Sequence, residues 1–183
     1  MAQVSSPSHV TELRRQNLYT RERKKKGDAF SFIARKGEGE DLHCTRGGER
    51  YKQQHKRITH TGRKGGRDYY AVQLVRGGAG HTWYTPKNLD VLVVSHTRGD
   101  GENEVLLGYW EIGSGLLLEK GHLAPASTAG TRLDKGTNQI DLFTDGDDWS
   151  VGCYTKVGPE PGAGGTKRRR KSKAPSQAPL GRE

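Results

Sequence analysis

Asp41, Gln54 and Lys56 are the residues of this 183-residue chain whose types and spacing could do chemistry. Side chains of a strand alternate between faces, so Gln54 and Lys56 share one face of the segment 51–57 with Lys52. The turn Arg46-Gly47-Gly48-Glu49 folds that segment back beside Asp41, since two glycines supply positive φ without steric cost. One carboxylate, one amide oxygen and one ammonium then converge at a hairpin. A carboxylate and a carbonyl-type oxygen are hard ligands suited to magnesium, which keeps several waters. Such a metal polarises a phosphoryl group and acidifies a water. A lysine on the same face orients that water or balances developing negative charge. The set therefore suits phosphodiester hydrolysis, with Asp41 and Gln54 as Mg2+ ligands and Lys56 as their catalytic companion.

The elements that must position these residues are short. A helix is expected over 9–26, with Thr11 as N-cap, a thin apolar stripe of Val10, Leu13 and Leu18, and Gly27 as its stop. Such a helix needs the core or a ligand to hold it. Core signals begin at Phe30, and 41–45 and 50–57 form the hairpin strands. Thr61 to Arg67 reads as a basic, glycine-rich loop, and 69–75 as a strand rich in aromatic and β-branched residues. The continuous apolar run 89–94 suits a central strand covered on both faces. It pairs with 105–112 across the acidic loop 99–104. A short helix over 114–120 is capped by Ser114 and stopped by Gly121, and 139–143 and 150–157 are weaker strands. About six short strands and few helices make the class α/β or α+β, with a mixed central sheet.

The order of acid, hairpin and then Gln54-His55-Lys56 resembles the signature of the PD-(D/E)xK nuclease-like superfamily. Its restriction-endonuclease-like members often continue with a tyrosine-bearing strand, a segment of the type Asp-x-Leu-x-Val, and a strand ending in Ile before a Leu-rich helix. Here these are 69–75, 89–94, and 108–112 followed by Leu116-Leu117-Leu118. The resemblance spans about residues 28–145 and implies a restriction-endonuclease-like sheet and magnesium-dependent cleavage of DNA. The chain departs from the pattern in three places. Gln54 stands where an acid is usual, which removes a negative ligand and weakens metal binding. Asp41 follows Glu40 rather than a proline. No upstream helical acid stands out, although Glu12 and Glu22 are candidates. The resemblance implies either a metal-dependent endonuclease or a catalytically silent relative of one.

Composition frames the partner. The chain carries a formal charge of +10, unevenly spread. Residues 1–76 hold 18 Lys/Arg against 8 Asp/Glu, residues 77–166 hold 6 against 12, and residues 167–183 hold 7 against 1. Basic ends around an acidic centre are the electrostatic footprint of a polyanion binder, nucleic acid first of all, and the resemblance makes DNA the expected one. The expected contacts are Arg23, Lys24, Lys25 and Lys26, then Arg63, Lys64 and Arg67 in the glycine-rich loop, then Lys167, Arg168, Arg169, Arg170 and Lys171 in the tail. The loop lacks the order of a nucleotide P-loop. The run 167–173 also reads as a nuclear-localisation signal, so an intracellular, nuclear location is one expectation.

Apolar residues make up only 31 % of the chain, too few to pack along its whole length. The expected organisation is a basic N-terminal segment (1–27), a mixed-sheet core (28–157) and a disordered basic tail (158–183). No window is apolar enough for a membrane span, and no apolar leader marks a secreted chain. Cys44 and Cys153 make no disulfide framework, and the seven histidines lack paired Cys-x-x-Cys spacing, so no zinc is expected. Trp83, Tyr84, Tyr109 and Trp110 could stack bases, but rings within strands belong first to the core. A second functional class remains open: a non-catalytic nucleic-acid-binding or regulatory protein that grips through basic arms. A module for acidic protein partners has less support, since no apolar docking stripe is visible.

Overall fold

The computed structural model describes residues 7–32, 42–74, 84–87, 89–123 and 139–158. Helix α1 (Pro7–Lys24) begins two residues before the expected His9 and four before the expected cap, Thr11. Proline suits a first helical turn, where its missing N–H has no partner to lose. The helix stops as its composition requires: Gly27 takes φ 91° and donates to the Lys24 carbonyl at 3.0 Å.

Nine strands follow among the described residues. They are β1 (Ala29–Phe32), β2 (Leu42–Arg46), β3 (Glu49–Lys56), β4 (Ile58–Lys64), β5 (Arg67–Gln73), β6 (Val91–Arg98), β7 (Val105–Gly113), β8 (Gln139–Phe143) and β9 (Tyr154–Lys156). Helix α2 (Ser114–Glu119) follows β7 directly. Six strands form one sheet in the order β1-β2-β3-β6-β7-β9, and β4-β5-β8 form a second. Only the β3–β6 pair is parallel, which makes the larger sheet mixed. Asp90 fixes that junction: its carboxylate accepts the Lys52 N–H at 2.7 Å, and its own N–H donates to the Lys52 carbonyl at 3.1 Å.

The β2–β3 hairpin turns on Gly47 and Gly48, at φ 59° and 87°, a pair of left-handed positions that suits a two-residue hairpin turn. The apolar segment that reads as a central strand lies in β6, between β3 and β7, with Leu92, Val93 and Val94 fully buried. Three sequence expectations change. Most of the supposed loop 61–67 is strand, and only Gly65 and Gly66 form its turn. Val72 and Leu74, buried against Leu92 and Trp110, draw this ribbon onto the core although β4 itself is polar. Ser114 opens α2 as its first residue, and Gly113 is the cap. The segment 150–157 begins as a 3-10 turn, Trp149–Cys153, because the Asp148 carboxylate caps the Ser150 N–H at 2.8 Å.

The main core lies between the sheets. Leu92, Val94, Trp110 and Ile112 of the larger sheet meet Val72, Ile140 and Leu142 of the smaller, with Leu117 of α2. The opposite face carries α1, with Tyr19 buried against Val93 and Tyr109. Strand β9 closes on β7 over Gly108, where a Cβ would lie 2.3 Å from the Tyr154 hydroxyl and 2.7 Å from the Thr155 carbonyl oxygen. Gly108→Ala is therefore expected to cost about 1–3 kcal/mol through overpacking, read as a lower urea midpoint with an unchanged slope.

Candidate functional site

Strand β3 is polar yet lies inside the sheet. Gln53, Gln54 and His55 are all buried, with 1 %, 6 % and 4 % exposure. Buried polar groups must be matched or they destabilise the fold, and each face of β3 is matched differently.

On the α1 face, the Gln53 amide donates to the Tyr19 hydroxyl at 3.1 Å, and that hydroxyl donates to Glu111 at 2.5 Å. Arg46 donates to Glu111 at 2.8 Å and to Asp28 at 3.0 Å, and Arg23 reaches Asp28 at 2.8 Å. Five elements or their flanks (α1, the α1–β1 turn, β2, β3 and β7) thus meet through one ionic cluster. Burial would raise the Asp28 pKa, but the guanidiniums of Arg23 and Arg46 prevail and hold it below the usual carboxylate range. Burial and the Glu111 charge push the Tyr19 hydroxyl well up, so it stays protonated as a donor. Burial, then the Asp28 charge, pushes the Cys44 thiol up to about 11, which leaves it a protonated donor rather than a nucleophile.

On the other face, the Gln54 amide donates to the His55 carbonyl at 3.2 Å. The Lys56 ammonium lies over the Tyr84 ring, 5.1 Å from its centre, and Tyr84 belongs to the core between the sheets. Gln54 and Lys56 therefore do lie on one face of one strand, as alternation requires. Asp41 lies outside the described residues. Its chain neighbour Leu42 pairs with Gln53 across the hairpin.

A small cleft opens at the C-terminal end of β3, between Glu12, Arg15 and Gln16 of α1, His55 and Lys56 of β3, and Ser95 of β6. Of the two candidate helical acids, Glu12 lines this cleft on the α1 face, whereas the Lys56 ammonium lies over Tyr84 on the other face. Glu22 pairs with Lys25 at 3.1 Å on the helix itself. Helix α1 is held in this place by Arg15, which donates to the buried Glu104 at 2.6 Å. His55, enclosed beneath α1 with its ring 5.0 Å from that of Tyr19, is driven down to about 3 by burial alone. It stays neutral at working pH and is no proton shuttle.

Among the described residues, no group of three or more His, Cys, Asp or Glu could hold a metal ion. Gln54 offers one neutral oxygen, so the described residues do not by themselves make a magnesium site. The expected nucleic-acid contacts divide. Arg23 turns inward, with a side chain only 12 % exposed on Asp28, whereas Lys24, Lys25 and Lys26 are exposed at the end of α1. Arg63 and Lys64 project into solvent at the tip of the β4–β5 ribbon, and Arg67 folds back over the Phe143 ring at 4.9 Å. Lys167 to Lys171 lie outside the described residues.

Sequence reasoning missed the ionic cluster because its members are scattered, with Tyr19 and Glu111 92 positions apart. Its one local sign was the polar face Tyr51, Gln53 and His55 on a segment otherwise marked as a core strand.

Two consequences are measurable. Asp28→Ala leaves two guanidiniums without their buried carboxylate and is expected to cost about 3 kcal/mol of stability in urea unfolding. Stability should also fall as pH drops below about 6.5. There the unfolded chain protonates residue 55 while the folded His55 stays neutral down to about 3, so the native state loses ground by about 1.4 kcal/mol per pH unit. His55→Gln should flatten this part of the profile, measured as unfolding free energy against pH.

No family model matches the chain, and no curated protein matches it. Solved structures do. MepB superposes with a TM-score of 0.43 at 16 % identity, over 72 % of this chain and 87 % of that one. A bacterial homing endonuclease, I-Ssp6803I, superposes with a TM-score of 0.50 at 14 % identity, over 82 % of this chain and 88 % of that one. The chain is an α+β protein whose mixed sheet and few helices have an endonuclease-like fold, similar to that of a homing endonuclease.

Proposed function

We propose that this protein binds DNA and hydrolyses its phosphodiester bonds with a divalent metal, using Asp41, Gln54 and Lys56. The observation that carries the reading is the presence of Gln54 and Lys56 on one face of β3, in a fold similar to a homing endonuclease. Asp41 directly precedes Leu42, the hairpin partner of Gln53, and is the carboxylate the set needs. Asp41 and Gln54 would hold magnesium, which when bound supplies a Lewis acid for a phosphoryl oxygen. Lys56 would then orient a water or offset charge on the phosphate, with the Tyr84 ring helping to place its ammonium. Lys24, Lys25, Lys26, Arg63, Lys64 and Arg67, with the run 167–171, would draw the DNA backbone by a charge term that weakens with salt.

A second reading has its own observation. The Gln54 amide is committed to the His55 carbonyl, and glutamine brings no charge to a metal. A protein that grips DNA through its basic segments and does not cut it has the same outer surface.

Supercoiled plasmid incubated with the full chain and magnesium is expected to be nicked or linearised. Lys56→Ala should slow cutting at least about 100-fold, the loss typical when one electrostatic stabiliser is removed. Equal cutting by both proteins overturns the assignment of Lys56. Salt-sensitive binding with no cutting by the parent chain overturns the catalytic reading and supports the second.

A further inference from the structure

Strand β3 ends at Lys56, but the chain runs directly on from the candidate site. After Lys56 a single residue, the exposed Arg57, carries the chain into β4, and β4 returns as β5 through Gly65-Gly66. The two strands make an antiparallel ribbon with a tight turn at φ 59° and 80°. Among the described residues, strand β4 is at the edge of its sheet and pairs only with β5. Six of its seven residues from Ile58 to Lys64 are polar or glycine.

Three properties of the ribbon point to one partner. The first is charge. Arg63 and Lys64 are 75 % and 68 % exposed, Arg63 beside Asp68 at 3.6 Å and Lys64 beside Asp141 at 3.3 Å. Pairs this exposed are weak and easily exchanged for phosphate or for a base edge. The second is stiffness. Tyr69 lies across Gly62, where a Cβ would come within 2.6 Å of its ring, so the ring covers the glycine backbone and braces the ribbon below its tip. The third is shape and reach. A two-stranded ribbon fits the major groove of B-form DNA, about 12 Å wide. Seven residues of β4 at about 3.3 Å each set the tip roughly 23 Å from the end of β3.

We propose that the β4–β5 ribbon enters the major groove of duplex DNA, with Arg63 and Lys64 at the contact, while the continuous chain through Arg57 holds the backbone near Lys56. The inference rests on the reading that the protein binds DNA, and adds that it recognises a duplex through the major groove. An edge strand carrying cations only to resist aggregation is the competing explanation, and it makes no demand on the groove.

The test uses the full chain and fluorescence anisotropy. One probe is a labelled duplex of mixed sequence. Its twin carries glucosylated hydroxymethylcytosine, which fills the major groove and leaves the backbone and minor groove intact. The parent chain is expected to bind the twin at least about ten-fold more weakly. The double variant Arg63→Gln, Lys64→Gln should lose about ten-fold on the plain duplex, within the range for loss of a bidentate base contact. It should also discriminate little between the two duplexes. Both side chains are exposed, and a far-ultraviolet circular dichroism spectrum like the parent's confirms that the variant is folded. Equal binding of both duplexes by the parent chain overturns the ribbon assignment and leaves DNA binding standing. A parent chain that binds neither duplex overturns DNA binding and the ribbon assignment together.

Discussion

The structure depends on how a polar strand is satisfied in the interior of a sheet. Strand β3 has no long apolar side chain over Gln53, Gln54 and His55, yet it pairs with β2 on one side and β6 on the other. Hydrophobic burial alone would drive such a segment outward. What keeps it inside is a run of hydrogen bonds on the α1 face, from Gln53 through Tyr19, Glu111 and Arg46 to Asp28 and Arg23. A buried charge is tolerated when it is paired and its remaining hydrogen-bonding capacity is used. Here the same cluster also orients α1, whose apolar stripe is too thin to dock it by itself. Glu12 and Arg15 line the cleft beside His55 because that helix is pinned at its middle by Arg15 on Glu104 and near its C-terminal end by Arg23 on Asp28.

The two faces of β3 are satisfied in different ways. The α1 face uses its polar groups for cohesion, with a protonated Tyr19, a protonated Cys44 and a neutral His55. On the opposite face the Lys56 ammonium lies over the Tyr84 ring, a contact that helps to position it. The network satisfies Gln53 on its own face, while Gln54 and Lys56 on the other meet the His55 carbonyl and the Tyr84 ring.

Much of this was legible in the residue pattern, where the pattern is local. Gly47-Gly48 marked the hairpin, the run 89–94 marked the central strand, and alternation put Gln54 and Lys56 on one face. The smaller sheet was harder to see, because β4 reads Ile-Thr-His-Thr-Gly-Arg-Lys and owes its place to Val72 and Leu74 on and just beyond the partner strand. Arg23 looked like one more cation in a basic run. Its role is set by Asp28 across a helix stop and by Arg46 and Glu111 far along the chain, which no local pattern records. Glu12 and Glu22 were indistinguishable until α1 was docked. Local chemistry marked candidates, and tertiary contacts decided which of them reach the cleft.

The account stands or falls on β3 as the strand that meets a phosphate. The most direct measurement is a crystal structure of the full chain with a short DNA duplex and calcium, which occupies magnesium sites without supporting rapid hydrolysis. The account expects a backbone phosphate beside the Lys56 ammonium, with the cation held between it, Gln54 and Asp41. DNA seated with no phosphate near Lys56, or calcium bound away from β3, would contradict it.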